Sequence, residues 1–204
     1  TGLSLAMGVG CGVVLTSWFD CCPAGVSRPL WALGLAAAFL LALLAQITLH
    51  EGGHLVCGLL SGYRFCSFRV GSLMWMKVDG HLRLRRLRLA GTDGQCLMSP
   101  PDMVDGRLPV TLYNFGGALA NLLTAALALA LYGPARRVPL LAAFLLFLAV
   151  IGGFTAAMNG IPLRLGNIDN DGRNALSLGR DPAALRAFWV QMKVAEAQAR
   201  GLRL

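Results

Sequence analysis

The residues of this chain best suited to chemistry are His50 and His54, which lie four apart in the run His-Glu-Gly-Gly-His, with Glu51 next to the first. On a helix, residues four apart lie roughly 40° apart around the axis and about 6 Å along it. Both imidazoles can therefore bind one metal ion, typically zinc, and Glu51 can act as general base toward a water at the metal. The alternative is that the three are polar side chains satisfied at the end of a helix.

The composition of the chain places this motif in a membrane protein. Hydrophobic residues make up 56% of the 204 residues, and charged residues only 14%. That balance is typical of integral membrane proteins rather than of soluble domains. The histidine motif stands where the apolar segment from Leu30 to Leu49 ends. Ionisable residues are costly there unless they bind a ligand or take part in a reaction.

Four apolar segments are candidates for membrane-spanning helices. The first is short for a span of roughly 20 residues, so a signal peptide is its rival interpretation. The chain opens at Thr1 without a methionine, and we expect further residues before it. We predict an α-helical integral membrane protein with about four transmembrane helices, a membrane-embedded domain over residues 1–172 and a cytoplasmic helical tail over 173–204. The predicted spans are 3–19, 30–62, 108–132 and 138–158.

The lysines and arginines predict which side of the membrane each connection faces. Of the 18, eight lie in the loop from Arg64 to Arg107, seven lie after Met158, and only three lie in the other two connections. Cytoplasmic loops carry an excess of Lys and Arg, so the long loop, the tail and the N-terminus are predicted to be cytoplasmic. This topology, with anionic lipid as a partner, accounts for the net charge of +8 without nucleic acid.

A third protein ligand is needed for a catalytic zinc site that keeps an open position. The run from Asn159 to Gly172 follows the fourth apolar segment and contains Asp169 and Asp171. By the predicted topology this run emerges on the cytoplasmic side, at the same membrane depth as the histidine motif. Two motifs far apart in the sequence thus converge on one plane, which is stronger support than either gives alone.

In these motifs the chain resembles the site-2 protease family, the membrane-embedded zinc metalloproteases. Members carry His-Glu-x-x-His at the end of one core helix and an Asn-x-x-Pro…Asp-Gly stretch at a later one. Asn159 and Pro162 match the first half of that stretch, and Asp171-Gly172 match the second. The resemblance covers the core from about residue 30 to 172, and it implies a compact form without PDZ or CBS domain.

Asn121 belongs to a further match, Gly116-Gly117-Ala-Leu-Ala-Asn121, which is similar to an element that the family places beside the metal. An asparagine in a membrane helix can simply hydrogen-bond a neighbouring helix, which is worth about 1 kcal/mol. The resemblance favours a functional role instead, as a donor to the substrate carbonyl or to the oxyanion formed on attack.

The third zinc ligand is where this sequence departs from the commoner family pattern. The usual position of the aspartate is occupied by Asn167, and Asp169 and Asp171 come later. We assign the ligand to Asp171 because Gly172 follows it as the family pattern demands, with Asp169 as the runner-up. The same run is similar to half of a calcium loop, but Leu178 stands where an EF-hand requires glutamate.

The loop from Arg64 to Arg107 has the alternation typical of strands. Residues 81 to 89 alternate between basic and apolar types, and Asp79-Gly80 before them is a hairpin turn signal. The resemblance implies a small sheet here, whose edge strand can hold an extended substrate by strand addition. Residues 91 to 101 are the candidate gate or edge segment. The alternative is that the basic strand lies on lipid headgroups.

The end of the chain predicts an amphipathic helix without a catalytic part. Asp181 is a good N-cap, and Pro182 suits the first helical position. One apolar face recurs at helical spacing: Leu185, Phe188, Trp189 and Met192.

Together these features predict an intramembrane zinc endopeptidase in which His50, His54 and Asp171 hold Zn²⁺ and Glu51 and Asn121 are catalytic. Its substrates would be single-span membrane proteins or membrane-inserted peptides, cut near the cytoplasmic face of what we expect to be a bacterial plasma membrane. The alternative is a catalytically inactive, family-like membrane protein that binds or escorts a partner. Glu51 favours the enzyme, because a purely structural zinc site has no use for that carboxylate.

Overall fold

The structure is a computed structural model that describes residues 2–78, 80–87, 94–165 and 168–199. Within these ranges the chain is mostly helical and carries a four-stranded and a two-stranded antiparallel sheet. Several predicted features fall partly or wholly on other residues. The Asp79 turn position, residues 88–89 of the alternating run, residues 91–93 of the gate segment, Asn167 and residues 200–204 of the tail lie outside the described residues.

Four apolar helices account for the four predicted apolar segments. Among the described residues, three of them are long and apolar enough to cross a membrane, namely α2, α3 and α4, whereas the searched part of α1, from Met7 to Phe19, is shorter. The predicted helical architecture is thus confirmed, with three candidate spans among the described residues, and the fourth span stays a prediction. The helices are α1 Gly2–Phe19, α2 Arg28–Leu60, α3 Val110–Ala135 and α4 Pro139–Gly160.

Helix α2 carries the histidine motif in its second half. Its 33 residues correspond to a length of about 50 Å, more than the roughly 30 Å hydrocarbon core of a bilayer. The helix ends because Gly62 adopts a φ of 82°, and the Tyr63 N–H then bonds back to the Gly58 carbonyl at 2.9 Å. This left-handed glycine termination turns the chain directly into the first strand.

The predicted extended loop forms a four-stranded antiparallel sheet. Its order is β3-β2-β1-β4, so β3 and β4 are the two edge strands. A small sheet in this loop was expected from the resemblance and is confirmed. The strands are β1 Arg64–Val70, β2 Leu73–Val78, β3 His81–Arg86 and β4 Gly94–Ser99.

The chain divides into two compact units. The first, residues 1–46 and 120–158, packs Trp31, Leu35 and Phe147 in its largest buried cluster. The second, residues 47–119 and 159–204, contains the sheet, the second half of α2 and the start of α3. The predicted domain boundary after residue 172 stays a prediction.

The C-terminal part of the second unit contains two short strands, two α-helices and, between the helices, a 3-10 turn at Leu178–Arg180. The N-cap prediction for the last helix is confirmed, since Asp181 Oδ1 accepts hydrogen bonds from the Ala183 and Ala184 N–H groups at 2.9 and 3.2 Å. Its apolar face is also confirmed, because Leu185 and Met192 are buried in clusters of this unit. The elements are β5 Arg164–Leu165, β6 Ile168–Asp169, α5 Asp171–Ser177 and α6 Pro182–Ala199.

Helices α2 and α3 touch at backbone distance within the second unit. A Cβ atom added at Gly116 would lie 2.5 Å from the Gly53 carbonyl oxygen and 2.9 Å from the Cys57 Cβ. Small residues permit such an approach between membrane helices. The approach fixes α3 beside the histidine motif.

We predict that Gly116→Ala lowers the stability of the protein by about 1–3 kcal/mol, because the added methyl group forces the two helices apart. Gly153→Ala is the matched control, since a Cβ at Gly153 meets nothing within 4 Å. The control should be neutral or stabilising by up to about 1 kcal/mol through helix propensity. Thermal unfolding in detergent compares the two, and equal effects would contradict the packing assignment.

Candidate metal centre

His50 and His54 face the same side of α2, as their spacing predicts. Their ring centroids are 4.8 Å apart, and the two Nε2 atoms approach to 3.2 Å. His54 is buried at 8% exposure, and His50 is partly buried. Two imidazoles are thus aimed at one point, from one rigid helix.

Asp171 brings a carboxylate to the same point from a distant part of the sequence. It is the first residue of α5, and its Oδ2 atom lies 3.4 Å from His50 Nε2 and 3.3 Å from His54 Nε2. The ligand atoms of the three residues all lie within 4.8 Å of one another. The structure therefore brings together the three residues predicted to hold the metal.

The separations of the three atoms fit a tetrahedral metal ion. Ligands at bond lengths of about 2.0–2.1 Å in a tetrahedron lie roughly 3.3 Å apart. The observed separations are 3.2, 3.3 and 3.4 Å. Two imidazoles and one carboxylate also form a donor set that zinc accepts, with a fourth position left for water or substrate. The residues thus fit a zinc ion.

The ring of His54 is oriented by Tyr113 on α3. His54 Nδ1 lies 2.9 Å from the Tyr113 carbonyl oxygen, which can only accept, so Nδ1 carries a proton and Nε2 faces the candidate site. Tyr113 is itself held by a stacked contact with Tyr63, with ring centroids 4.6 Å apart. Sequence reasoning missed Tyr113, because no local pattern marks a carbonyl that meets a histidine on another helix. Such an outer partner typically fixes the tautomer of a metal ligand.

The ring of His50 is limited on its other side by Gly117. A Cβ atom at Gly117 would overlap the His50 Cε1 atom and come within 2.6 Å of both ring nitrogens. The position therefore has to be glycine if the imidazole is to keep its place. This explains in physical terms why a glycine pair stands at this level of α3.

The carboxylate of Asp171 is ionised, as a metal ligand needs to be. Burial by itself would raise the pKa of Asp171, but the hydrogen bonds and charges of His50 and His54 outweigh it and lower the pKa to about 2. The carboxylate is thus anionic over the whole physiological pH range.

Asn170 places Asp171 by capping the helix that begins there. Its Oδ1 accepts from the Arg173 N–H at 3.0 Å and from the Leu163 N–H at 2.9 Å, and its Nδ2 donates to the Ile161 carbonyl at 2.6 Å. One buried side chain thus ties the loop after α4 to the start of α5. Sequence reasoning missed this role, although asparagine before a helix is a preferred N-cap.

Gly172 allows the start of α5 to press against the end of α4. A Cβ atom at this position would overlap the Gly160 carbonyl oxygen and lie 3.0 Å from the Asn159 carbonyl oxygen. A glycine is therefore needed at position 172 because the backbones of α4 and α5 approach closely beside the Asp171 carboxylate.

Asp169, the runner-up for the third ligand, is directed to two arginines instead. Its Oδ1 lies 3.0 Å from Arg173 Nε and 3.7 Å from Arg164 Nε. It pairs with Arg164 in the two-stranded β5–β6 ladder as well. In this arrangement Asp171, and not Asp169, joins the two histidines.

Glu51 lies against the edge strand β4. Its carboxylate lies close to the Cys96 backbone N–H. A Cβ atom added at Gly94, the first residue of that strand, would lie 2.6 Å from Glu51 Oε1 and 2.9 Å from an Ile47 methyl carbon. Gly94 was named as part of the gate segment, and the structure adds that its missing side chain makes room for Glu51.

The thiol of Cys96 does not take part in the donor set. Burial, with smaller contributions from Glu51 and Cys66, raises the pKa of Cys96 to about 12. The thiol therefore stays protonated, and a protonated thiol is a poor metal ligand and nucleophile. Among the described residues, the candidate metal-binding group contains no cysteine.

Asn121 lies in the first unit and links three helices there. Its Nδ2 donates to the Gln46 carbonyl at 3.0 Å and to Gln46 Oε1 at 2.5 Å. Gln46 Nε2 in turn donates to the Leu148 carbonyl of α4 at 2.7 Å, and Thr124 Oγ1 donates to Gln46 Oε1 at 3.2 Å. Both amide groups are essentially without exposure. The interhelical hydrogen bond, one of the two interpretations of Asn121, is therefore present; its role toward substrate stays a prediction.

Comparison of the chain with protein-family models, curated proteins and solved structures gives no match. The resemblance to the site-2 proteases therefore depends on the quoted motifs alone.

We predict that Asp171→Asn lowers zinc affinity by more than roughly 100-fold, because a neutral amide replaces an anionic ligand. Asp169→Asn is the matched control, since it removes only partly exposed ion pairs and should change zinc affinity by about tenfold or less. Zinc content after competition with a chelator measures both variants. Loss of zinc from Asp169→Asn alone would place the ligand two residues earlier.

We also predict that Asn121 and Gln46 stabilise the first unit as a pair. In a double-mutant cycle, Asn121→Ala and Gln46→Ala should show a coupling of about 1 kcal/mol, because either change removes the hydrogen bond between the two amide side chains. Thermal unfolding of the wild type, both single variants and the double variant gives the coupling. Strictly additive effects would show that the contact contributes nothing.

Proposed function

We propose that this chain is an intramembrane zinc endopeptidase of the site-2 protease type. The observation that carries the proposal is the tetrahedral spacing of His50 Nε2, His54 Nε2 and Asp171 Oδ2. Glu51, next to the first of these ligands in the sequence, supplies the carboxylate that a hydrolytic zinc site needs. A site that only stabilised the fold would not need that carboxylate.

His50, His54 and Asp171 would hold the ion, and zinc, when bound, supplies Lewis-acid activation of water and of a peptide carbonyl. Glu51 accepts the proton of the attacking water and passes it to the leaving amine as general acid. Tyr113 keeps His54 in the tautomer that leaves Nε2 deprotonated, and Asn170 keeps Asp171 beside the histidines. The chain thus provides a base, a donor set and the groups that orient them.

The substrate would be bound in extended form, because a helical peptide hides its carbonyl groups. Strand β4 supports this part of the proposal, since it is an edge strand and Glu51 contacts its Cys96 N–H. A peptide added to that edge would run past Glu51 by strand addition.

Asn121 is proposed to donate to the substrate carbonyl or the oxyanion, on the strength of the motif resemblance. Its amide nitrogen now donates twice to Gln46, so this role requires one of those hydrogen bonds to be exchanged for the substrate. In this proposal the Asn121 amide links the helices before substrate binds and donates to the substrate afterwards.

The topology of the proposal has four spans, with the metal centre toward the cytoplasm. Three candidate spans and the 15 of 18 basic residues in the long loop and tail support it. The substrates are single-span membrane proteins or membrane-inserted peptides, cut near their cytoplasmic end. The location proposed is a bacterial plasma membrane.

We predict that Glu51→Gln retains zinc but slows peptide cleavage by about 10²–10⁴-fold, because an amide cannot accept the proton of water. The test is cleavage of a single-span model membrane protein in detergent, followed by mass spectrometry. Asp102→Asn, a carboxylate-to-amide change at a side chain that is 92% exposed, is the control and should cleave at the wild-type rate.

Two results would contradict the proposal. Wild-type cleavage by Glu51→Gln would remove the glutamate from the mechanism. A wild-type protein that binds zinc and holds such membrane proteins without cutting them would favour the partner-binding alternative.

A further inference from the structure

Strands β2 and β3 of the sheet expose a set of large apolar side chains that the peptidase proposal does not use. Trp75 is 38% exposed, Leu84 58% and Leu82 68%, although all three belong to regular strands. Leu73 on β2 is 39% exposed. A contiguous exposed apolar face of this kind normally marks an interaction surface.

The register of the sheet shows that these side chains share one face. Cys96, Phe68, Trp75 and Leu84 are successive partners across β4, β1, β2 and β3. Side chains that are directly paired point to the same side, so the four form one row. Leu73 and Leu82 lie two residues from Trp75 and Leu84 along their strands and therefore on the same face.

On strands β1 and β4, that face packs against helices α2 and α3. Phe68 and Cys96 belong to a cluster with Leu55 of α2 and Tyr113 of α3. The outer half, on β2 and β3, continues the same face beyond that cluster and is exposed. We call Leu73, Trp75, Leu82 and Leu84 the hairpin apolar face.

Basic side chains surround the hairpin apolar face. Lys77 is paired with Leu82 and Arg86 with Leu73, so both are on this face, and Arg83 and Arg85 project from the other face of β3. Every residue of β3 is exposed. Among the described residues, no ion pair involves any of these four cations. Their charge is thus available to an anionic partner.

The chain itself brings this surface near a membrane. Strand β1 begins at Arg64, four residues after the candidate span α2 ends at Leu60, and Gly62 makes the turn between them. Tryptophan and leucine favour the boundary between headgroups and acyl chains, and flanking arginines and lysines extend toward anionic headgroups.

We propose that strands β2 and β3 lie in the interface of an anionic bilayer, with the hairpin apolar face toward the acyl chains. The basic residues contact lipid phosphates, and the sheet is thereby held at a fixed height beside the candidate metal centre. This inference depends on the chain being embedded in a membrane and is independent of whether the site cleaves peptides.

The test is fluorescence quenching of Trp75 by lipids with brominated acyl chains, in the full-length protein in nanodiscs. Subtracting the signal of Trp75→Phe from that of the wild type isolates Trp75 without changing the other tryptophans. In Trp75→Phe/His81→Trp a tryptophan stands on the opposite face of β3 as the matched probe. We expect Trp75 to be quenched at least about twofold more than the tryptophan at position 81.

The contribution of the basic residues is tested by varying the lipid composition and by the double variant Lys77→Gln/Arg86→Gln. Quenching of Trp75 should be greater with phosphatidylglycerol than with phosphatidylcholine alone, and the double variant should lose that difference. Equal quenching of the two tryptophans, or none of Trp75, would overturn the proposal. If Trp75 resisted both brominated lipid and aqueous iodide, the face would be covered by protein, such as a second copy of the chain.

Discussion

Two imidazole nitrogens and one carboxylate oxygen face a common point at separations of 3.2 to 3.4 Å, and the arrangement of the second unit follows from that convergence. Lone pairs at such distances repel one another unless a proton or a cation lies between them. The fold holds them together through rigid elements, a helix for the histidines and a capped helix start for the aspartate. A bound metal ion would therefore add to the stability of these same elements.

Close backbone approach is the means by which those elements reach one another. Gly117 leaves room for the His50 ring, Gly172 for the carbonyl of Gly160, and Gly94 for the Glu51 carboxylate. In each case another group occupies the space that a side chain at that position would fill. The three glycines lie on α3, α5 and β4. Each allows its element to lie close to a neighbouring one near the candidate metal centre.

The sequence predicted the parts of the site that depend on local periodicity. The shared face of His50 and His54 follows from helix geometry, and the N-cap at Asp181 follows from local hydrogen bonding. The choice of Asp171 over Asp169 was predicted from Gly172 alone, whereas the contacts that separate the two carboxylates, the cap by Asn170 and the ion pair of Asp169 with Arg173, were not predicted. The carbonyl of Tyr113 and the space at Gly94 were beyond prediction, since both arise from contacts between elements distant in sequence.

The central claim is that His50, His54 and Asp171 bind one zinc ion, and zinc X-ray absorption of the full-length protein in detergent tests it most directly. We predict one zinc per chain, two imidazole ligands, and nitrogen or oxygen neighbours at about 2.0–2.2 Å. A sulfur neighbour at about 2.3 Å, fewer than two imidazoles, or failure of the chain to retain zinc would contradict the claim.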